Sequence, residues 1–345
     1  MEQEIRKKRQ VNFELLRILC MYMIVIGHCL FHGRVTAKLG YGTVNYFLSY
    51  LIQSFSVVHV NCFVMIGGYF AIDRAFKAER AVKLWKQVAF YSVGIFLLCA
   101  IFGSIAPVDV VKAVLPISSK TYWFASVYMG LLLLMPFLGM VAVRITRKQY
   151  QYLLLLLALL AGYIKLHMRE DRKYVRKGLA GYVICSLSVL ASVYLSVKMG
   201  LEDTGYFLNY NSPLALLATF SIFVAVRNMP WKESRLDGLI LKVSGAAFGV
   251  YLIHDNYLIR YLVWDTFRAS KVARTHWAVI YAVVAAVIVY IVCTCVELLR
   301  QRLFKAVGTC YGKTGCYRKE QKLCEKINFM LFENDTNQED KNERI

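Results

Sequence analysis

The chain has 345 residues, of which 58% are hydrophobic, 5 prolines and a formal net charge of +20. Its mean hydropathy is +0.47, which excludes a disordered chain and argues against an ordinary water-soluble domain. Such a charge would suggest nucleic acid in a soluble protein, but here the basic residues sit in short clusters between apolar runs, so no nucleic-acid partner is expected.

The apolar runs fall near 13–33, 47–72, 84–106, 122–143, 178–198, 212–227, 243–263 and 276–298, with a further one at 150–167. Runs of about 20 residues match the thickness of a bilayer. They predict an all-α fold, a polytopic transmembrane helix bundle of about eight to ten spans. Residues 1–12 form a basic amino-terminal segment, 13–300 the transmembrane domain, and 301–345 a basic, then polar tail that ends in disorder. The first run lacks a small-residue cleavage pattern, so no cleavable signal is expected. Clusters at Arg6–Arg9, Arg74–Lys86, Arg144–Lys148, Arg169–Lys177, Arg227–Lys242 and Arg300–Lys326 outweigh the loops between them. Basic loops stay in the cytoplasm, which predicts a cytoplasmic amino terminus. One conflict follows. Clusters 144–148 and 169–177 both favour the cytoplasm, yet the run between them has room for only one crossing. Either 150–167 is re-entrant or interfacial, or the basic loop is misplaced, or a span is missing here; an even number of crossings overall is expected, with a cytoplasmic carboxyl terminus.

In the first span, Arg17 and His28 stand eleven positions apart. That is close to three turns, so they share a face about 16 Å apart along the axis. Ionisable groups inside a span cost about 2.5–3.5 kcal/mol each and usually mark a pathway or a reaction site. Glu14 offers Arg17 a simple i, i+3 partner as the bland alternative. The second span carries His59, Asn61, paired Gly67-Gly68, and Tyr69. The glycines permit close helix approach. His28, His59 and His254 reach similar depths when counted along their runs, which suggests a polar cavity. The His28–His32 spacing of i, i+4 can bind zinc on a helix. No Glu lies between the two, and no metal is expected. A proton-relay transporter is weakened by the scarcity of carboxylates in the spans, Glu14 and Asp255 being the main exceptions. Arg17 and Arg74 lie near cytoplasmic span ends, where guanidinium forks suit phosphate oxygens, although Arg74 is equally a positive-inside anchor. Trp123 and Tyr128 open the 122–143 run as an aromatic belt, or as a surface on which sugar rings stack. The ten cysteines lie mostly in apolar runs and lack the close pairing of a zinc site.

Asn12-Phe-Glu14-Leu-Leu-Arg17 followed by Val25-Ile-Gly-His28 resembles the first-span signature of the membrane acyltransferase-3 family, an arginine and a histidine separated by ten residues. Asn61-Cys-Phe63-Val-Met-Ile-Gly-Gly68-Tyr69-Phe70 is similar to its second-span motif. Tyr122-Trp-Phe and Tyr251-Leu-Ile-His254-Asp-Asn256 resemble further landmarks. The resemblance covers Val11 to Arg300. It departs at Gly67, where the family usually has serine, and near Gly162–Lys165, which looks like the end of the family's sixth span joined to a remnant of its fifth. The resemblance implies transfer of an acyl group, most often acetyl, from acetyl-CoA or another acyl-CoA to a hydroxyl of a cell-envelope carbohydrate in a bacterial cytoplasmic membrane. No permanently bound cofactor is implied. His28 would act as general base or carry the acyl group itself, and Arg17 would orient the donor or stabilise charge on the thioester oxygen. Arg74 would meet the coenzyme A phosphates, while His59, Asn61, Tyr69, Trp123, Tyr128, His254 and Asn256 would line the acceptor site. A transporter or flippase for a lipid-linked saccharide, using the same cavity without chemistry, is the competing reading.

Overall fold

The computed structural model describes residues 10–71, 77–103, 105–119, 121–144, 157–201 and 205–332, and no strand occurs among them. The helices are α1 (Val11–His32), α2 (Val44–Ser56), α3 (His59–Ala71), α4 (Ala78–Phe102), α5 (Pro107–Val114), α6 (Trp123–Arg144) and α7 (Leu157–His167). They are followed by α8 (Lys173–Lys198), α9 (Pro213–Asn228), α10 (Asp237–His254), α11 (Arg260–Thr266), α12 (Ala269–Val272), α13 (Ala278–Tyr311) and α14 (Gly315–Phe332). Among the described residues, five helical stretches, 11–38, 44–71, 78–102, 173–198 and 278–308, are long and apolar enough to cross a bilayer. The expected spans 122–143, 212–227 and 243–263 also fall on helices. Of these, α6 has 22 residues and α9 has 16.

Three expected spans differ in shape from the continuous rods that hydropathy suggests. The 47–72 run is two helices, broken at Val57 and Val58, so His59 opens α3 instead of lying in the middle of one continuous rod. The 243–263 run stops as a helix at His254 and resumes only at Arg260. The 276–298 run continues unbroken to Tyr311. Hydropathy averages over a window and does not register a break flanked on both sides by apolar residues.

The chain divides into two compact units. The first holds residues 1–69 and 154–295, the second 70–153 and 296–345. In the first unit α1 is the hub, packed on α2, α9, α10 and α11, while α8 lies along α9 and α2. Phe13 is fully buried, with its ring 5.0 Å from Tyr69 and 5.2 Å from Phe223. The α8–α9 contact is close because Gly178 lies against α9, where an added Cβ would stand 2.5 Å from the Ser221 carbonyl oxygen. Small residues let helix backbones approach in this way where packing, not water, drives association.

Hydrogen bonds identify the two ends of this unit. At one end Asn12 Nδ2 donates to the Val226 carbonyl (2.7 Å), Asp171 N–H to Asn228 Oδ1 (2.8 Å) and Arg227 Nη2 to the Met168 carbonyl (2.8 Å). The starts of α1 and α8 therefore share an end with the close of α9. At the opposite end Asn45 Nδ2 donates to the Thr275 carbonyl, and Tyr41 OH to the Val197 carbonyl. The basic cluster 169–177 thus lies at the amino-terminal end of this unit. Of the 150–167 run, only Leu157–His167 belongs to the described residues. At 11 residues this helix is about 16 Å long.

In the second unit α14 packs on α4, where Lys86 Nζ donates to both oxygens of Glu320 (2.7 and 2.6 Å). Lys86 holds the Glu320 carboxyl below its ordinary range. Residues 315–332 of the expected tail are thus one helix, and Glu333 to Ile345 lie outside the described residues. Glu297, which the sequence reading passes over, is fully buried. It accepts from Tyr91 OH (2.5 Å), Gln301 Nε2 (2.8 Å) and Arg300 Nη2 (2.6 Å), so its buried charge is fully paired.

Candidate active site

α1 is an uninterrupted helix of 22 residues, so Arg17 and His28 do share a face and remain about 16 Å apart along it. The structure places them in different surroundings. Arg17 Nη1 donates to Glu14 at 3.1 Å, and Glu14 also accepts from the Ser244 hydroxyl of α10. The i, i+3 pairing anticipated for Arg17 is thus present, extended by a third partner from another helix. His28 lies one turn from the opposite end of α1.

Around His28 the hydrogen bonds determine where protons reside. His254 Nδ1 is 2.6 Å from the Val250 carbonyl oxygen, which can only accept, so this nitrogen carries the hydrogen. In the neutral ring Nε2 is then a lone-pair acceptor. His28 Nδ1 lies 3.0 Å from it and must donate. By elimination His28 Nε2 holds a lone pair. His254 has no exposed surface, and the end of α10 holds it rigidly, because Asp255 N–H continues the helix to the Tyr251 carbonyl. The sequence reading has His254 lining a cavity, whereas the structure places it behind His28, fixing that ring's tautomer.

His59 completes the arrangement from α3. Its Nδ1 accepts the N–H of Val60 at 2.6 Å, so Nε2 carries its hydrogen. A cavity of about 210 Å³ opens between α1, the α2–α3 break and the loop before α9, and both His28 and His59 line it. Gln53, Ser56 and Tyr210 add polar surface. Its lining therefore includes one histidine with a lone pair on Nε2 and one with a ring N–H on Nε2. The break at Val57–Val58 is what brings His59 into this position.

A second cluster adjoins His28 at the same end of the unit. Asp255 Oδ1 is 3.6 Å from His28 Nδ1, 3.6 Å from His32 Nε2 and 3.8 Å from Arg260 Nη1. The three residues His28, His32 and Asp255 offer ligand atoms within 4.8 Å of one another. The sequence reading judges the His28–His32 pair from one helix alone, and the fold adds a carboxylate from another. Arg260, standing equally close to that carboxylate, already supplies a positive charge, and a dication beside it would meet repulsion. The cluster is therefore read as a charge network around His28.

The remaining predicted residues are dispersed. Asn61 Nδ2 donates to the Tyr210 carbonyl at 2.7 Å, so it holds a cavity-lining residue in place from outside the cavity. Asn256 is buried and accepts the Leu258 N–H at 2.9 Å, shaping the turn after α10. Tyr69 packs on Phe13 and Phe223, with Lys165 Nζ 5.1 Å above its ring. None of these three lines the cavity. Trp123 and Tyr128 belong to the second unit, where Tyr128 stacks with Phe124 at 6.0 Å. Arg74 lies outside the described residues.

Gln53, Ser56, Tyr210 and Arg260 carry no signal in the sequence strong enough to nominate them, and His32 stands out there only by its spacing from His28. A loop tyrosine such as Tyr210 becomes a cavity wall only through tertiary packing.

A family model described as an acyltransferase domain matches residues 10–166 and 159–296 of the chain. The two matched stretches overlap at 159–166, around Gly162–Lys165. No curated protein matches the chain, and no solved structure does.

Proposed function

The chain belongs to the acyltransferase-3 family, and from that premise we propose that it is a membrane-embedded O-acyltransferase, moving an acyl group from acyl-CoA to a hydroxyl of a cell-envelope saccharide. The observation that carries this reading is the pairing in one cavity of a histidine with a lone pair, His28, and a histidine with an N–H donor, His59. Acyl transfer to a hydroxyl needs both. In the reaction, His28 Nε2 takes the proton of the acceptor hydroxyl as its oxygen bonds to the thioester carbon. His59 Nε2–H donates to the carbonyl oxygen as negative charge develops on it. The carbon–sulfur bond breaks, and the thiolate leaves with the proton that His28 has gained. Asp255, 3.6 Å from His28 Nδ1, steadies the imidazolium in between, and His254 keeps the lone pair on Nε2.

Arg17 is too far from His28 to reach an oxygen at the reacting carbon. Its proposed task is to orient the donor at the amino-terminal end of the bundle, with Arg74 assigned to the coenzyme A phosphates. The basic clusters support a cytoplasmic amino terminus, which puts the donor on the inner side of a bacterial cytoplasmic membrane and the His28 cavity in the outer half. On this reading the chain crosses the membrane eight to ten times.

Membranes containing the protein, supplied with radiolabelled acetyl-CoA and envelope glycan, test the proposal. Label is expected in alkali-labile ester linkages. A chain that transports a lipid-linked saccharide needs no acyl donor and would leave the glycan unlabelled.

A further inference from the structure

The cavity beside His28 has an apolar wall that proton transfer does not need, formed by Met23, Ile24, Gly27, Val57 and Leu208. Gly27 is the gap in this wall. A Cβ built there meets no atom within 4 Å, and Gly27 is not among the positive-φ residues, so neither backbone strain nor a close neighbour calls for glycine. Its position in the interior of a 22-residue helix costs about 1 kcal/mol against alanine. What the missing side chain leaves is room beside the reacting nitrogen. The volume, about 210 Å³, falls below the roughly 300–1,000 Å³ of pockets that enclose a drug-sized ligand. The cavity therefore takes the reacting ends of the two substrates, not a whole nucleotide thioester or a saccharide chain. The hydroxyl belongs on the polar side with His59 and Tyr210. The apolar side includes the open space over Gly27, where a chain longer than one methyl group can extend.

We propose that the Gly27 side of this cavity is the acyl-chain pocket, and that Gly27 sets its depth so that straight acyl groups longer than acetyl are accepted. The inference rests on the acyl-CoA reading above. In transfer, the acyl carbon exchanges its bond to sulfur for one to the acceptor oxygen while the alkyl tail stays against this wall.

The test uses the full-length protein in membranes with acetyl-, propionyl- and butyryl-CoA in turn. Wild type is expected to transfer all three. Gly27→Val should lower the butyryl-to-acetyl ratio at least about tenfold, since shape exclusion in an apolar pocket discriminates on that scale, and Gly27→Ala should lower it less. Gly238→Val, at a helical position whose Cβ site is equally open, should leave the ratio unchanged. An unchanged ratio in Gly27→Val, or a wild type confined to acetyl, overturns the pocket while leaving the acyl-CoA reading intact. If Gly27→Val is intact but inactive with every donor, Gly27→Ala decides, and an unshifted ratio there overturns the pocket as well. Failure of wild type with all three donors overturns the pocket and the acyl-CoA reading together.

Discussion

Which nitrogen of His28 carries the proton decides whether the residue can act as a base, and a neighbouring helix makes that choice. His254 donates to the Val250 carbonyl and so must accept from His28. A variant that cannot accept, His254→Ala, should lower kcat at least about tenfold, as misplacing a tautomer does in hydrolytic triads, with KM changed little. His254→Gln, whose side-chain oxygen can accept from Nδ1–H, should recover part of the loss. If both variants kept full kcat, the positioning role would be wrong. His59→Ala should cost about 10²–10³ in kcat, the usual loss of an oxyanion donor, measured as initial rates at saturating donor. The three histidines stand out in the sequence because a titratable group inside an apolar run is expensive. Their division of labour was not, because it depends on single hydrogen bonds to Val60 and Val250 that only the folded backbone supplies. Asn256 and Tyr69 fall within recognisable motifs, yet their contacts are with a turn and with an aromatic cluster. A motif marks a residue as important for the site or for the fold without saying which.

At the level of elements, most helices lie where apolar periodicity places them. The breaks do not. The interruption between Ser56 and His59 lies within an apolar sequence free of proline, and it is the feature that turns His59 toward the cavity. Close helix packing also involves a glycine that the sequence does not single out, Gly178 against Ser221 and Ala225. Gly178→Leu should push α8 from α9 and destabilise the first unit, at a cost of at least about 1–3 kcal/mol for overpacking. The readout is the thermal unfolding midpoint in detergent, with Gly200→Leu unsuitable as a control because its φ of +67° strains any side chain. Wild-type thermal stability in Gly178→Leu would contradict the packing described. Glu297 shows a complementary limit. A carboxylate near the end of an apolar run reads as an interfacial charge, yet it is enclosed by Tyr91, Gln301 and Arg300.

For the molecule as a whole, the charge clusters anticipated the arrangement of the first unit better than the span count did. The 169–177 cluster was expected on the amino-terminal side, and the hydrogen bonds from Asn12, Asp171 and Arg227 put it at that end of the unit. A single cysteine introduced at Lys173, in a chain with its own accessible cysteines replaced, should react with an impermeant thiol reagent only from the side that carries the amino terminus. Labelling from the opposite side would break the arrangement. Family membership, the position of His28 one turn from the end of α1 and its place in the lining of a small cavity together make one central claim, that His28 performs acyl transfer. The most direct measurement compares wild type with His28→Ala in membranes given radiolabelled acetyl-CoA and envelope glycan, with protein level and thermal stability followed in parallel. The account predicts that ester-linked label disappears in the variant while the protein persists at wild-type level and stability. Undiminished labelling by a stable His28→Ala protein would contradict it.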